Sequence, residues 1–98
     1  MTLKLHPLVQ SDVNEALEYY LKVAPSVVDR FASDLDRRLA QILGNPKRFS
    51  FITGHRELRR ARLERFPYVV VYRELPDQVF VLTVRHERRH PDYGLARV

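Results

Sequence analysis

A chain of 98 residues, with 45% hydrophobic and 30% charged side chains, is the right size for one folded domain and too apolar to remain disordered. It contains no cysteine, which excludes disulfides and thiolate metal sites and agrees with a reducing cytoplasm. No apolar run approaches the roughly 20 residues of a membrane span, and the N-terminus is too polar for a secretory signal. We therefore expect one cytoplasmic domain over residues 1–98, with no membrane contact.

The net charge of +5 is concentrated in the second half of the chain. Residues 1–45 contain five basic and six acidic side chains, whereas residues 46–98 contain twelve basic and six acidic ones. Arginine supplies 14 of the 17 basic residues, and its planar guanidinium group binds carboxylate or phosphate in a bidentate manner. This bias favours a binding surface in the second half. A solvated basic face without a partner is the alternative interpretation.

The first half predicts a short strand and two helices. Residues 3–9 alternate apolar and polar side chains at their start, as a strand does. Ser11 or Asp12 is then expected to cap a helix. Pro25 suits the first turn of a second helix, which Gly44 ends. The connection between the helices is so short that they must form an antiparallel hairpin. The apolar stripe of the first helix consists of Val13, Ala16, Leu17, Tyr20 and Leu21.

The second half begins with a loop and then changes to the period of a strand. Residues 45–57 are long for a loop in a compact domain, so we expect them to be mobile or functional. From about Leu58 the side chains alternate, which places Arg60 and Arg62 on one face of a strand. That face is expected to be the open side of the sheet.

Two further strands complete the predicted sheet. Residues 68–75 and 79–86 are nearly continuous β-branched and aromatic runs, and Pro76-Asp77 forms the turn between them. Residues 87–98 resemble a tail. The predicted fold class is α+β with the order β-α-α-β-β-β. A helical hairpin covers one face of a small, mainly antiparallel sheet and leaves the other face partly open.

The segment His86-Glu87-Arg88-Arg89-His90 matches the H-E-x-x-H pattern of zinc peptidases. That chemistry needs both histidines one helical turn apart. Here His86 ends a predicted strand, and Pro91 disfavours helix at His90. We therefore expect no metal site, and nothing in the sequence indicates a cofactor.

Two segments carry a resemblance to a known family. The first segment runs from Arg65 to Arg73 and begins with Arg-Phe-Pro-Tyr. The second runs from Val81 to Pro91, and it consists of a predicted strand followed by the pattern His-x-x-Arg-x-Pro. Together with the helical half, they resemble the RelE/ParE superfamily of toxins from type II toxin–antitoxin (plasmid stabilisation) systems. The resemblance implies a compact β-α-α-β-β-β toxin that a cognate antitoxin neutralises.

The resemblance leaves two branches with different targets. ParE-like members bind and poison DNA gyrase, whereas RelE-like members cut mRNA in the ribosomal A site. The second activity needs basic residues on the middle strands, and the position of one such arginine falls at Val69. The best register also places Glu87 where a C-terminal arginine is needed. The residues thus favour the ParE branch and action by binding. One alternative is a ribosome-dependent endoribonuclease that uses Arg85, Arg88 and Tyr93; another is a non-toxic binding module of this fold.

The predicted contacts with the target or the antitoxin are basic residues of the second half and the segment that follows the last strand. His86 has an alternative interpretation as a hydrogen-bonded structural residue, and Pro91 as the residue that fixes the turn into the tail. Tyr68 and Tyr72 are expected to pack within the sheet. The predicted binding residues are Arg60, Arg62, Arg85, His86, Arg88, Arg89 and Pro91.

Overall fold

The computed structural model describes residues 1–98 and contains two α-helices and one four-stranded sheet. The predicted order β-α-α-β-β-β is confirmed, and so is the α+β class. Short 3₁₀ turns at Pro25–Val27 and Pro46–Arg48 precede and follow the second helix. The elements are β1 (Thr2–Leu5), α1 (Val9–Val23), α2 (Val28–Gly44), β2 (Arg59–Arg62), β3 (Tyr68–Glu74) and β4 (Gln78–His86).

The sheet has the strand order β1-β4-β3-β2 and is mainly antiparallel, as expected. The first strand pairs with β4 in parallel, while β2–β3 and β3–β4 are antiparallel. The two central strands are buried on both faces, which explains their continuous apolar runs. The β3–β4 register shifts between Val71 and Tyr72, which pair with Thr83 and Val81, so Leu82 is the additional residue of a bulge.

The beginning of α1 differs from the prediction. The strand β1 ends at Leu5, and the helix begins at Val9, with Leu8 at the N-cap and no side-chain cap. The prediction that Ser11 or Asp12 caps this helix is therefore wrong. Asp12 lies inside the first turn and is buried, because its carboxylate serves the sheet and not the end of the helix.

The main core lies between the helices and the sheet. Val70, Tyr72 and Phe31 are fully buried there, and Tyr68 is almost fully buried, which confirms that both tyrosines pack within the sheet. Leu21, expected in the apolar stripe, is instead exposed on α1. Neither helix has the length and apolar character that crossing a membrane requires.

The opposite face of the sheet is partly covered by the C-terminal residues. A second apolar cluster on this face consists of Leu58, Val69, Val71 and Leu82, with Ile52, Phe80 and Leu95 packed against it. The prediction that residues 87–98 form a tail is therefore wrong. They form a series of turns that fold onto β4. We call the side of the sheet that faces away from the helices the open face.

The loop over residues 45–57 is attached to the sheet by hydrogen bonds. The guanidinium group of Arg59 donates to the carbonyl of Phe49 at 2.6 Å, and the Tyr72 hydroxyl donates to the carbonyl of Pro46 at 2.5 Å. Burial raises the pKa of Tyr72 to about 12. These contacts hold the loop beside β2, where its end borders the open face.

Candidate functional site

Arg60 and Arg62 lie on the open face, as predicted. They pair in register with Val71 and Val69, whose side chains belong to the second apolar cluster, while Ala61 between them faces the main core. Both arginines are exposed. The edge strand β2 thus presents two cations beside the central strands.

Arg62 has an ionic partner at the end of β4. Its Nε donates to the Glu87 carboxylate at 2.8 Å. This hydrogen bond from Arg62 lowers the pKa of Glu87 and outweighs the opposing effect of desolvation. Glu64, two residues after Arg62 in the sequence, does not pair with it. Its carboxylate oxygens lie 3.8 and 3.9 Å from guanidinium nitrogens of Arg37 and Arg38 on α2.

Arg85 is the least exposed of the predicted binding residues, at 8%. Its Nη1 donates to the carbonyl of His90 at 2.8 Å, whereas its buried Nε has no acceptor. Burial lowers the pKa of Arg85, the positive charge of Arg60 lowers it further, and Asp92 opposes both. Arg85 is therefore a desolvated cation beside a second cation, with no carboxylate bonded to it.

A cavity of about 320 Å³ joins these arginines on the open face. We call it the arginine pocket. Apolar side chains form part of its wall, and it opens beside the loop that precedes β2. It is lined by Ile52, Thr53, Arg60, Arg85, Glu87, Arg89 and Pro91.

The remaining predicted residues lie where β4 turns into the C-terminal segment. His86 packs edge-on against the Tyr68 ring, with centroids 5.2 Å apart, and its Nδ1 accepts the backbone N–H of Arg88. The guanidinium group of Arg89 binds the Glu15 carboxylate on α1 and lies 4.5 Å from the centroid of the Tyr93 ring. His86 therefore has a structural role, and Arg89 connects the C-terminal segment to α1.

The H-E-x-x-H segment does not form a helix. His86 ends β4, and a turn follows it. The Nδ1 of His90 accepts the backbone N–H of Asp92, just as that of His86 accepts the N–H of Arg88. The predicted strand context of this motif is confirmed, and each imidazole stabilises a local turn.

The sequence prediction missed a buried polar cluster centred on Asp12. We call it the Asp12 cluster; its other members are Thr83, Val84, Tyr93 and Arg97. Because β1 pairs with β4 only as far as Val81, the next backbone groups on that edge of β4 have no strand partner. The Asp12 carboxylate accepts the N–H of Val84 at 3.2 Å and the hydroxyl of Thr83 at 2.8 Å.

Arg97 closes this cluster from the C-terminal segment. Its Nη1 donates to Asp12 at 2.6 Å and to the carbonyl of Leu82 at 3.0 Å. Burial alone would raise the pKa of Asp12, but hydrogen bonds from Arg97, Thr83 and Val84 outweigh it, so the pKa lies below its ordinary value. One sequence signal was available: Asp12 precedes Ala16 by one helical turn and so lies on the buried side of α1.

Tyr93 belongs to the same cluster. Its hydroxyl donates to Asp12 at 3.1 Å and accepts from Nη2 of Arg97 at 3.2 Å. Tyr93 and Arg85 both line a second pocket, of about 140 Å³, between α1 and β4, but Arg88 does not. The structure thus brings together two of the three residues named for the nuclease alternative, and the hydroxyl of Tyr93 is already engaged in the fold.

Comparison with known proteins gives consistent matches. The sequence model of a family described as the ParE toxin of the type II toxin–antitoxin system parDE matches residues 3–91. Toxin ParE2 of Mycobacterium tuberculosis, in strains CDC 1551 and H37Rv, is 32% identical over 94 residues, which cover 92% of this chain and 85% of that protein. A solved structure of a chromosomal ParDE TA system from P. aeruginosa is similar with a TM-score of 0.74. The match covers 88% of this chain and 95% of the chain in that structure. The two sequences are 17% identical over it, so the similarity shows a shared fold.

Proposed function

Because this chain belongs to the ParE toxin family of type II toxin–antitoxin systems, we propose that it is a cytoplasmic toxin that inhibits DNA gyrase until a cognate antitoxin neutralises it. The observation that carries the proposal is the family match over residues 3–91. Inhibition by binding needs an accessible surface of defined charge and no reacting group. The arginines on the open face and the turn after β4 supply such a surface.

We assign the contacts to the predicted residues according to their accessibility. Arg60 and Arg88 are exposed and form no salt bridge, so they are available to a partner without breaking a contact. Arg62 and Arg89 are exposed but already paired with Glu87 and Glu15. The remaining members of the proposed surface are Arg85, His86 and Pro91.

A gyrase supercoiling assay tests the proposal. Relaxed plasmid, gyrase and ATP are incubated with the purified protein, and we expect supercoiling to stop at micromolar toxin. Arg88→Gln should weaken inhibition because it removes an unpaired exposed cation. Arg30→Gln, which removes an exposed cation from α2, should inhibit like the wild type. Absence of inhibition by the folded wild-type protein at micromolar concentration would reject gyrase as the target.

The endoribonuclease alternative gives the opposite result for Tyr93. In that case primer extension on a translated message shows cuts in the ribosomal A site, and Tyr93→Phe abolishes them because the hydroxyl is the reacting group. If the protein acts on gyrase, Tyr93→Phe keeps the ring beneath Arg89, and the variant still inhibits supercoiling. Regulated expression that leaves growth unchanged would favour the non-toxic module.

A further inference from the structure

Arg60 and Arg85 are the two arginines lining the arginine pocket that have no carboxylate partner. The structure contains no salt bridge for either side chain, and only Nη1 of Arg85 reaches a protein acceptor. Arg85 is more than nine-tenths buried, so water cannot fully replace the missing partner. Burying a charge without a counterion is costly, and two adjacent cations increase that cost.

No neighbouring carboxylate is bonded to these two arginines, and Asp92 acts on Arg85 only electrostatically, without a salt bridge. Glu87 in the wall of the arginine pocket is bound to Arg62, and the guanidinium group of Arg89 is bound to Glu15. Each of those two arginines therefore has its own carboxylate. The pocket is therefore lined by two cations, Arg60 and Arg85, to which no carboxylate is bonded.

We propose that the arginine pocket binds the side-chain carboxylate of an aspartate or glutamate from an acidic peptide segment, supplied by the antitoxin. A planar carboxylate matches the fork of a guanidinium group and accepts from two arginines at once. The methylene groups of the incoming side chain would rest on Ile52 and Pro91. The inference rests on the antitoxin part of the proposed function and is independent of the target.

A peptide carboxylate fits this pocket better than the phosphates of a nucleic acid. Arg85 is accessible only to a group that projects into the pocket, as a side chain does. A nucleic acid strand carries a row of phosphates, and those next to the pocket would meet the ionised Glu87. A single carboxylate brings only one negative charge near Glu87 and therefore meets less repulsion than a strand does.

Nuclear magnetic resonance follows binding at Arg85 through its Nε–H, which is buried and has no acceptor in the free protein, so its signal reports a charge that arrives beside the guanidinium group. The full chain is titrated with a blocked pentapeptide, Ala-Leu-Glu-Leu-Ala, and with the same peptide carrying glutamine. We expect the glutamate peptide to shift the Arg85 Nε–H signal saturably at millimolar concentration, and the glutamine peptide to leave it unchanged. Arg60→Gln should weaken binding about tenfold, whereas the charge-matched Arg30→Gln should not.

Two other probes determine the source of the anion. If inorganic phosphate or a single-stranded oligonucleotide saturates the Arg85 signal and the glutamate peptide does not, the carboxylate proposal is wrong. Equal, non-saturating shifts at all exposed arginines would also overturn it. The gyrase assay separates the two proposals: a wild-type protein that binds the peptide but does not inhibit gyrase refutes only the target.

Discussion

Replacing Asp12 with asparagine keeps the volume of a buried side chain and removes its charge. The carboxylate accepts five hydrogen-bond contacts from four residues at 2.6–3.2 Å, and an amide retains one oxygen for them. The Arg97 side chain is only 12% exposed and would lose its counterion inside the fold. Breaking a buried pair costs about 3–5 kcal/mol. Since the amide oxygen keeps part of the hydrogen bonding, we expect Asp12→Asn to lower the free energy of unfolding by about 3 kcal/mol.

Thermal unfolding followed by circular dichroism measures this effect. In a domain of about 100 residues, 1 kcal/mol lowers Tm by about 4–8 °C, so Asp12→Asn should lower it by about 15 °C. Glu15→Gln is the matched control. It removes a carboxylate from the same helix, but this carboxylate pairs with Arg89 at the surface. That variant should lose less than about 1 kcal/mol.

Asp12 and Arg97 are expected to be energetically coupled. Asp12→Asn combined with Arg97→Gln should destabilise the protein by clearly less than the sum of the single changes, because the buried cation is removed as well. If Asp12→Asn and Glu15→Gln lowered Tm equally, the Asp12 cluster would contribute no more than a surface ion pair. Additive single changes would likewise refute the coupling.

Three further outcomes follow from the structure. The pKa of Asp12 is lowered in the folded state, so its contribution to the free energy of unfolding is complete above about pH 4 and is lost as the pH falls through the folded-state pKa. The urea midpoints of the wild type and Asp12→Asn should therefore converge once the pH is below the folded-state pKa. Gly94→Ala should lower the free energy of unfolding in urea by at least about 3 kcal/mol, because φ is +80° and the new Cβ would lie 2.6 Å from the Cβ of Thr83. Gly54→Ala has a similar φ of +84° but open space around it, so it should cost only about 1–2 kcal/mol. Equal losses in the two variants would show that the Cβ does not collide with Thr83. Tyr72→Phe should lose about 1 kcal/mol by the same measurement, and an unchanged midpoint would show that the loop does not depend on this hydroxyl.

The order of the elements was predictable because local patterns specify it. Alternation at Arg60 and Arg62 indicated a strand with a polar face, and the register of β2 confirms that face. The beginning of α1 was not predictable from capping rules. Asp12 has the spacing of a cap, yet its carboxylate binds Thr83 and Val84, more than 70 residues away along the chain.

The sequence by itself determined the fold class and the location of the positive charge, because the period of the side chains and the distribution of charge can be read along the chain. The family was indicated by the resemblance of two segments, Arg-Phe-Pro-Tyr and His-x-x-Arg-x-Pro. Only the tertiary structure decided which arginines are available for binding. Arg62 and Arg89 look like Arg60 in the sequence, but the fold brings Glu87 and Glu15 to them and leaves Arg60 and Arg85 without a carboxylate. The sequence also suggested a tail at residues 87–98, whereas in the structure this segment is bound to the fold. The salt bridge between Asp12 and Arg97 joins the two ends of the chain, and no local pattern indicates that contact.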